Sequence, residues 1–108
     1  MESEYSYFFT AAARSDLDGI IGYMVSDLGN PTAAKSFLDK LQNSLRDICC
    51  FPYSGTPVVN KYLDISNVRK ILTGNYTVYY LAQANEQKVI VLRIVYSRRN
   101  MDEIMKEI

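Results

Sequence analysis

The sequence predicts an α+β fold: an antiparallel sheet of a first strand plus a three-strand meander, with an antiparallel helix hairpin on one face and a short C-terminal helix. Three observations point there. Two apolar stripes at helical spacing are joined by the breaker string Gly29-Asn30-Pro31. Three runs rich in β-branched and aromatic residues follow between Val68 and Tyr96, separated by short polar turns. The last residues then return to helical spacing.

Taken in order, Tyr5 to Phe9 (YSYFF) is short and aromatic, which suits a strand. Thr10 offers a side-chain oxygen as N-cap, and three alanines start the first helix. Leu17, Ile20, Ile21, Met24 and Leu28 form its apolar stripe, with Asp16, Asp18 and Asp27 off it. Gly29 suits the left-handed residue that closes a helix. Asn30 then caps the second helix, and Pro31 fits its first position. Ala34, Phe37, Leu38, Leu41, Leu45 and Ile48 are the second stripe, and Pro52 stops it. With so short a link, both stripes face one way and need the sheet as cover.

Phe51 to Asp64 reads as a loop by its Pro, Gly, Ser and Asn content. The meander strands are Val68 to Leu72, Tyr76 to Ala82 and Lys88 to Tyr96, with turns at Thr73-Gly74-Asn75 and Asn85-Glu86-Gln87. In the last strand, strict alternation puts Ile90, Leu92, Ile94 and Tyr96 on one face, and Val89, Val91, Arg93 and Val95 on the other. The Ile90 face is expected to meet the helices, leaving the Arg93 face for function. In the tail, Asn100 with Glu103 matches a capping box, and Met101, Ile104, Met105 and Ile108 recur as i, i+3, i+4 and i+7. Nine residues do not hold a helix alone, so this one docks on the domain or on a partner.

At 108 residues the chain fits a single domain, residues 1–108. No apolar run approaches the roughly 18 residues that cross a bilayer, so no membrane partner is expected. The N-terminus MESEYSYFF is acidic where a secretory signal is basic, which points to a cytoplasmic protein. Cys49 and Cys50 are the only cysteines and are adjacent, where a disulfide is strained, and there is no histidine. Two reduced thiols, no metal and no cofactor are expected.

The formal net charge of zero hides a division. Residues 1–60 carry four basic and seven acidic side chains, residues 61–100 seven basic and two acidic, and the tail one basic and three acidic. Positive charge on the sheet suits an anionic partner, nucleic acid or an acidic protein segment. Arg69, Lys70, Arg93, Tyr96, Arg98 and Arg99 are the candidate working surface. Other roles compete: Arg69 and Lys70 suit edge-strand charges that oppose aggregation, and Arg98 and Arg99 suit pairing with Asp102 and Glu103. Tyr76, Tyr79 and Tyr80 suit sheet packing as well as base stacking.

Several local motifs, in order, carry a resemblance. They are FFTAAARSDLDGIIGYM, FPYSG, VRKILTGNYTVYY and VLRIVYSRRN. Together they are similar to the strand and alanine-started helix, the Phe-Pro-x-x-Gly, the Gly-x-Tyr meander and the Arg-Arg ending of the RelE/ParE superfamily of bacterial toxins. The resemblance implies the toxin of a type II toxin–antitoxin pair, inhibiting growth when free of a cognate antitoxin that wraps around it. It implies one of two targets. ParE-like toxins bind and block DNA gyrase; RelE-like toxins cut mRNA on the ribosome by metal-free attack of the 2′-hydroxyl, which needs a base and cations around the phosphate.

Carried over by position, Lys70, Tyr96 and Arg99 are the catalytic candidates of the nuclease reading. Arg69, Arg93, Arg98, Met101, Ile104 and Met105 are the binding candidates. Thr77 stands where an arginine usually follows the Gly-Tyr, and Met105 stands where a tyrosine is usual. Those departures, with the neutral charge, favour gyrase inhibition over cleavage of ribosome-bound mRNA. A relative that only binds its antitoxin is the third alternative.

Overall fold

The computed structural model describes residues 5–58 and 68–98. The expected tail helix, the end of the 51–64 loop, and Arg99, Met101, Ile104 and Met105 lie outside the described residues.

Strand β1 (Ser6–Phe9) is followed directly by helix α1 (Ala11–Gly22). Thr10 is extended, and its Oγ1 accepts from the Ala13 N–H at 3.0 Å, the expected N-cap. The helix continues past Gly22 through a π turn, Tyr23–Asp27, and the chain reverses at Gly29 with φ of 59°. Asn30 Oδ1 accepts from the Ala33 N–H at 3.0 Å to start helix α2 (Pro31–Cys50). Its buried face is Ala34, Phe37, Leu41, Leu45, Ile48 and Cys49. Leu38, expected on that stripe, is 40% exposed. Cys49 is buried and Cys50 exposed, and the two are not joined to each other. Among the described residues no helix is long and apolar enough to cross a membrane.

A two-residue strand, β2 (Thr56–Pro57), interrupts the predicted loop. The meander is β3 (Val68–Thr73), β4 (Tyr76–Gln83) and β5 (Lys88–Tyr96). The strands lie in the order β1-β5-β4-β3-β2. The meander is antiparallel as expected, but the sheet as a whole is mixed, because β1 runs parallel to β5 with Ser6 opposite Lys88 and Phe9 opposite Val91. The all-antiparallel expectation is corrected there. A strand that returns to the sheet after a helical crossover readily arrives in the parallel sense.

The helix-facing side of β5 is also corrected. The helices cover Val89, Val91 and Ile94, together with Val78 and Tyr80 of β4. The reason is a bulge: Tyr80 pairs with Val91 and Tyr79 with Arg93, so Leu92 is an extra residue. Before it the odd-numbered residues face the helices; after it the even-numbered Ile94 and Tyr96 do. Strict alternation cannot survive one inserted residue. On the opposite face Tyr79 and Val95 are also buried, with Leu92 and Val58 against them.

Tyr80 ties the loop after α2 to the sheet. Fully buried, its hydroxyl donates to the Pro52 carbonyl at 2.8 Å and accepts from the Gly55 N–H at 3.0 Å. A Cβ on Gly55 would lie 2.5 Å from that hydroxyl and 2.9 Å from the Lys70 carbonyl. The Phe-Pro-x-x-Gly string therefore ends in glycine because no side chain fits there. Gly55→Ala is expected to cost about 1–3 kcal/mol by overpacking, read as a lower urea midpoint.

Burial raises the pKa of Tyr79 and Tyr80 above 10.0; for Tyr80 it outweighs the opposing hydrogen bond from Gly55 and the Arg69 charge. Below pH 10.0 both folded and unfolded chains keep these protons. Above it the unfolded chain releases them first, so stability should fall as pH rises. Urea titrations across the alkaline range should show this slope, and Tyr79→Phe should flatten it.

Candidate functional site

Strand β1 ends at Phe9, and the edge of β5 would be bare from Leu92 onward. The start of α1 fills in for a strand. The Thr10 N–H bonds the Val91 carbonyl at 3.0 Å, and Thr10 Oγ1 donates to the Leu92 carbonyl at 2.9 Å. One turn later Asp16 Oδ2 accepts from the Ile94 N–H at 2.9 Å. The same carboxylate takes a two-pronged bond from Arg93, Nε at 2.7 Å and Nη2 at 3.0 Å. With side-chain exposures of 11% and 16%, this pair is largely withdrawn from water. Arg93 is on the face away from the helices by register, yet its guanidinium reaches back to α1.

Arg69 pairs with Tyr80 and so shares the helix-facing side. Its guanidinium donates to the carbonyls of Tyr53 at 3.0 Å and Gly55 at 2.8 Å, and sits 5.2 Å from the Tyr53 ring centre. It holds the loop after α2 in place. Lys70, its neighbour, pairs with Tyr79 on the opposite face and makes no ion pair among the described residues.

Tyr96 pairs with Tyr76 on the helix-facing side, their rings edge-to-face at 5.8 Å. With Tyr23 from the π turn they line an open cleft of about 330 Å³ between α1 and the end of β5, floored by Ile20 and Ile94. Burial, then the neighbouring Tyr23 and Tyr96, push the Tyr76 phenol up. Arg98 follows β5 as an exposed residue. Beside it Ser97 bonds Thr77 through their hydroxyls at 2.9 Å and donates its N–H to the Asn75 carbonyl.

The described candidates therefore do not form one surface. Lys70 and Arg93 share the face away from the helices, Arg69 and Tyr96 lie on the other, and Arg98 stands beyond the strand. Among the described residues no three His, Cys, Asp or Glu side chains gather to hold a metal ion. Two residues that matter here escaped the sequence reading: Asp16 and Tyr23. Asp16 carried one signal, since it lies four residues before Ile20 and so borders the apolar stripe.

The family model for the ParE toxin of type II toxin–antitoxin systems, parDE, matches residues 7–101. The chain belongs to the ParE toxin family. Two solved structures share the fold of this ParE-family chain. One is the RelBE2 toxin–antitoxin complex from Mycobacterium tuberculosis, 19% identical, covering 87% of this chain and 99% of that one, with a TM-score of 0.61. The other is a chromosomal ParDE system from P. aeruginosa, 18% identical, covering 86% and 96%, with a TM-score of 0.64. No curated protein sequence matches the chain.

Asp16→Ala should destabilise this ParE-family fold by about 2–4 kcal/mol, because it removes at once the acceptor of two Arg93 nitrogens and of the Ile94 N–H. Asp16→Asn should cost less by keeping an acceptor for Ile94. Urea denaturation of the two variants measures the difference.

Proposed function

We propose that this ParE-family toxin is held inactive by a cognate antitoxin and, when free, inhibits growth by binding DNA gyrase without chemistry of its own. The observation that carries the target is the internal use of its guanidinium groups. Metal-free RNA cleavage needs cations free to hold a phosphate that is gaining charge, close to a base. Arg93 is bonded to Asp16, and Arg69 to the Tyr53 and Gly55 carbonyls. The position after Gly74-Asn75-Tyr76 is Thr77, buried and bonded to Ser97. Lys70 and Tyr96 lie on opposite faces of the sheet, so they cannot serve one phosphate from the same side. A binding surface has no such requirement. The matching family model, described as ParE, supports the same reading.

Cleavage of ribosome-bound mRNA is the second reading, kept open because a chain of the RelBE2 toxin–antitoxin complex shares the fold. Purified protein added to gyrase should block supercoiling, with Lys70→Ala as potent as the parent chain. The same protein added to translating ribosomes should leave the message intact by primer extension. Ribosome-dependent cuts that vanish in Lys70→Ala would overturn the gyrase reading. Inactivity in both assays would leave a chain that only binds its antitoxin.

A further inference from the structure

The cleft between α1 and the end of β5 is built at a cost to the helix. Gly19 stands on its wall in the interior of α1, where glycine weakens a helix relative to alanine. No packing demands it: a Cβ at Gly19 would meet nothing within 4 Å. One turn on, the winding widens into the π turn Tyr23–Asp27, a rare device that gathers at functional sites. No residue of that turn is buried, so the core does not require it. Its first residue, Tyr23, lines the same cleft and is 50% exposed; Tyr96 on β5 lines it too and is 45% exposed.

What the cleft can take follows from its lining. Tyr23, Tyr76 and Tyr96 bring three aromatic rings, whose faces are electron-rich. Asp16 is the one charged group on the wall, and Arg93 already meets its charge. Among the described residues no basic side chain lines the cleft, and Arg98 stands in the turn beyond Tyr96, outside the lining. Asp27 continues the helical row Ser15, Gly19, Tyr23 and makes no ion pair among the described residues. Residues 1–60, which supply this wall, carry seven acidic side chains against four basic. An anion would meet carboxylates and no free cation here. A cation would meet rings, phenol oxygens and the Asp27 carboxylate.

We infer that this cleft receives the guanidinium of an arginine carried on a basic segment of a partner protein. Arginine fits better than lysine, because its flat, weakly hydrated head stacks on tyrosine rings while its N–H groups reach phenol oxygens and a carboxylate. Its apolar stem would lie over Ile20 and Ile94 in the room that Gly19 leaves. The cleft takes this guest whichever target the toxin blocks.

The probe is a blocked Gly-Arg-Gly peptide, set against the same peptide with citrulline, which keeps the shape and loses the charge. Titrated into the full chain labelled with carbon-13 at its tyrosine rings, the arginine peptide should shift Tyr23, Tyr76 and Tyr96 together and reach saturation. The citrulline peptide should bind about fivefold more weakly. Gly19→Leu puts a side chain into the cleft; it should abolish the shifts while its urea midpoint stays at or above that of the parent. Asp27→Asn should weaken the arginine peptide and leave the citrulline peptide unchanged. Equal binding of the two peptides overturns the proposal and makes the cleft a slot for an uncharged side chain. Shifts that persist in Gly19→Leu, or no shift up to tens of millimolar peptide, overturn it as well.

Discussion

One carboxylate sets how the helical layer meets the sheet. Asp16 accepts from the Ile94 backbone and from two nitrogens of Arg93, and these bonds fall just where β1 has run out and β5 has bulged. The bulge turns Ile94 toward the helices and leaves Arg93 on the far side. Without an acceptor on α1, the strand would carry an open edge and a poorly solvated guanidinium together. With it, α1 serves as both a covering helix and a substitute strand. The position of Tyr23, and so the cleft it forms with Tyr76 and Tyr96, follows from where Asp16 anchors the helix.

A second anchor works at the other end of the molecule. Tyr80 and Arg69, opposite one another on β4 and β3, bind the carbonyls and N–H of the loop after α2. The two anchors differ in chemistry. Tyr80 is neutral and fully buried, and its single hydroxyl both donates and accepts. Arg69 is charged; its Nη1 makes both loop bonds, and its Nε is buried without a partner among the described residues. That leaves Arg69 a costly way to hold a loop. Arg69 and Arg93, two of the basic candidates for an anionic partner, are both engaged in holding the fold.

Much of the architecture was legible in the residues. Thr10, Gly29, Asn30 and Pro31 mark the helix ends through local chemistry, and local chemistry is what a sequence records most directly. Gly74 and the Asn85-Glu86-Gln87 turn place the meander for the same reason. The parallel partner of β1 was not legible, because strand pairing is decided by the path of the whole chain. Nor was the bulge at Leu92: in VIVLRIV nearly every residue is apolar, so no alternation exists to reveal the slip. The site suffered from that slip directly. A basic residue in a strand looks available from sequence, and only the register shows that Arg93 meets Asp16, 77 positions earlier.

The pairing of β1 with β5 also fixes the order of events in the life of the chain. Thr10 and its partner Leu92 are 82 positions apart, so β1 must wait for β5 to be made before it can pair. The helix hairpin and the meander can each form from neighbours in sequence, but closing β1 onto β5 encloses nearly the whole chain. Until then YSYFF is an aromatic strand without a sheet. Vectorial synthesis therefore exposes this aromatic segment before the strand that shelters it has been made. Anything in the cell that binds extended aromatic segments has its longest opportunity during translation, before the toxin exists as a folded protein.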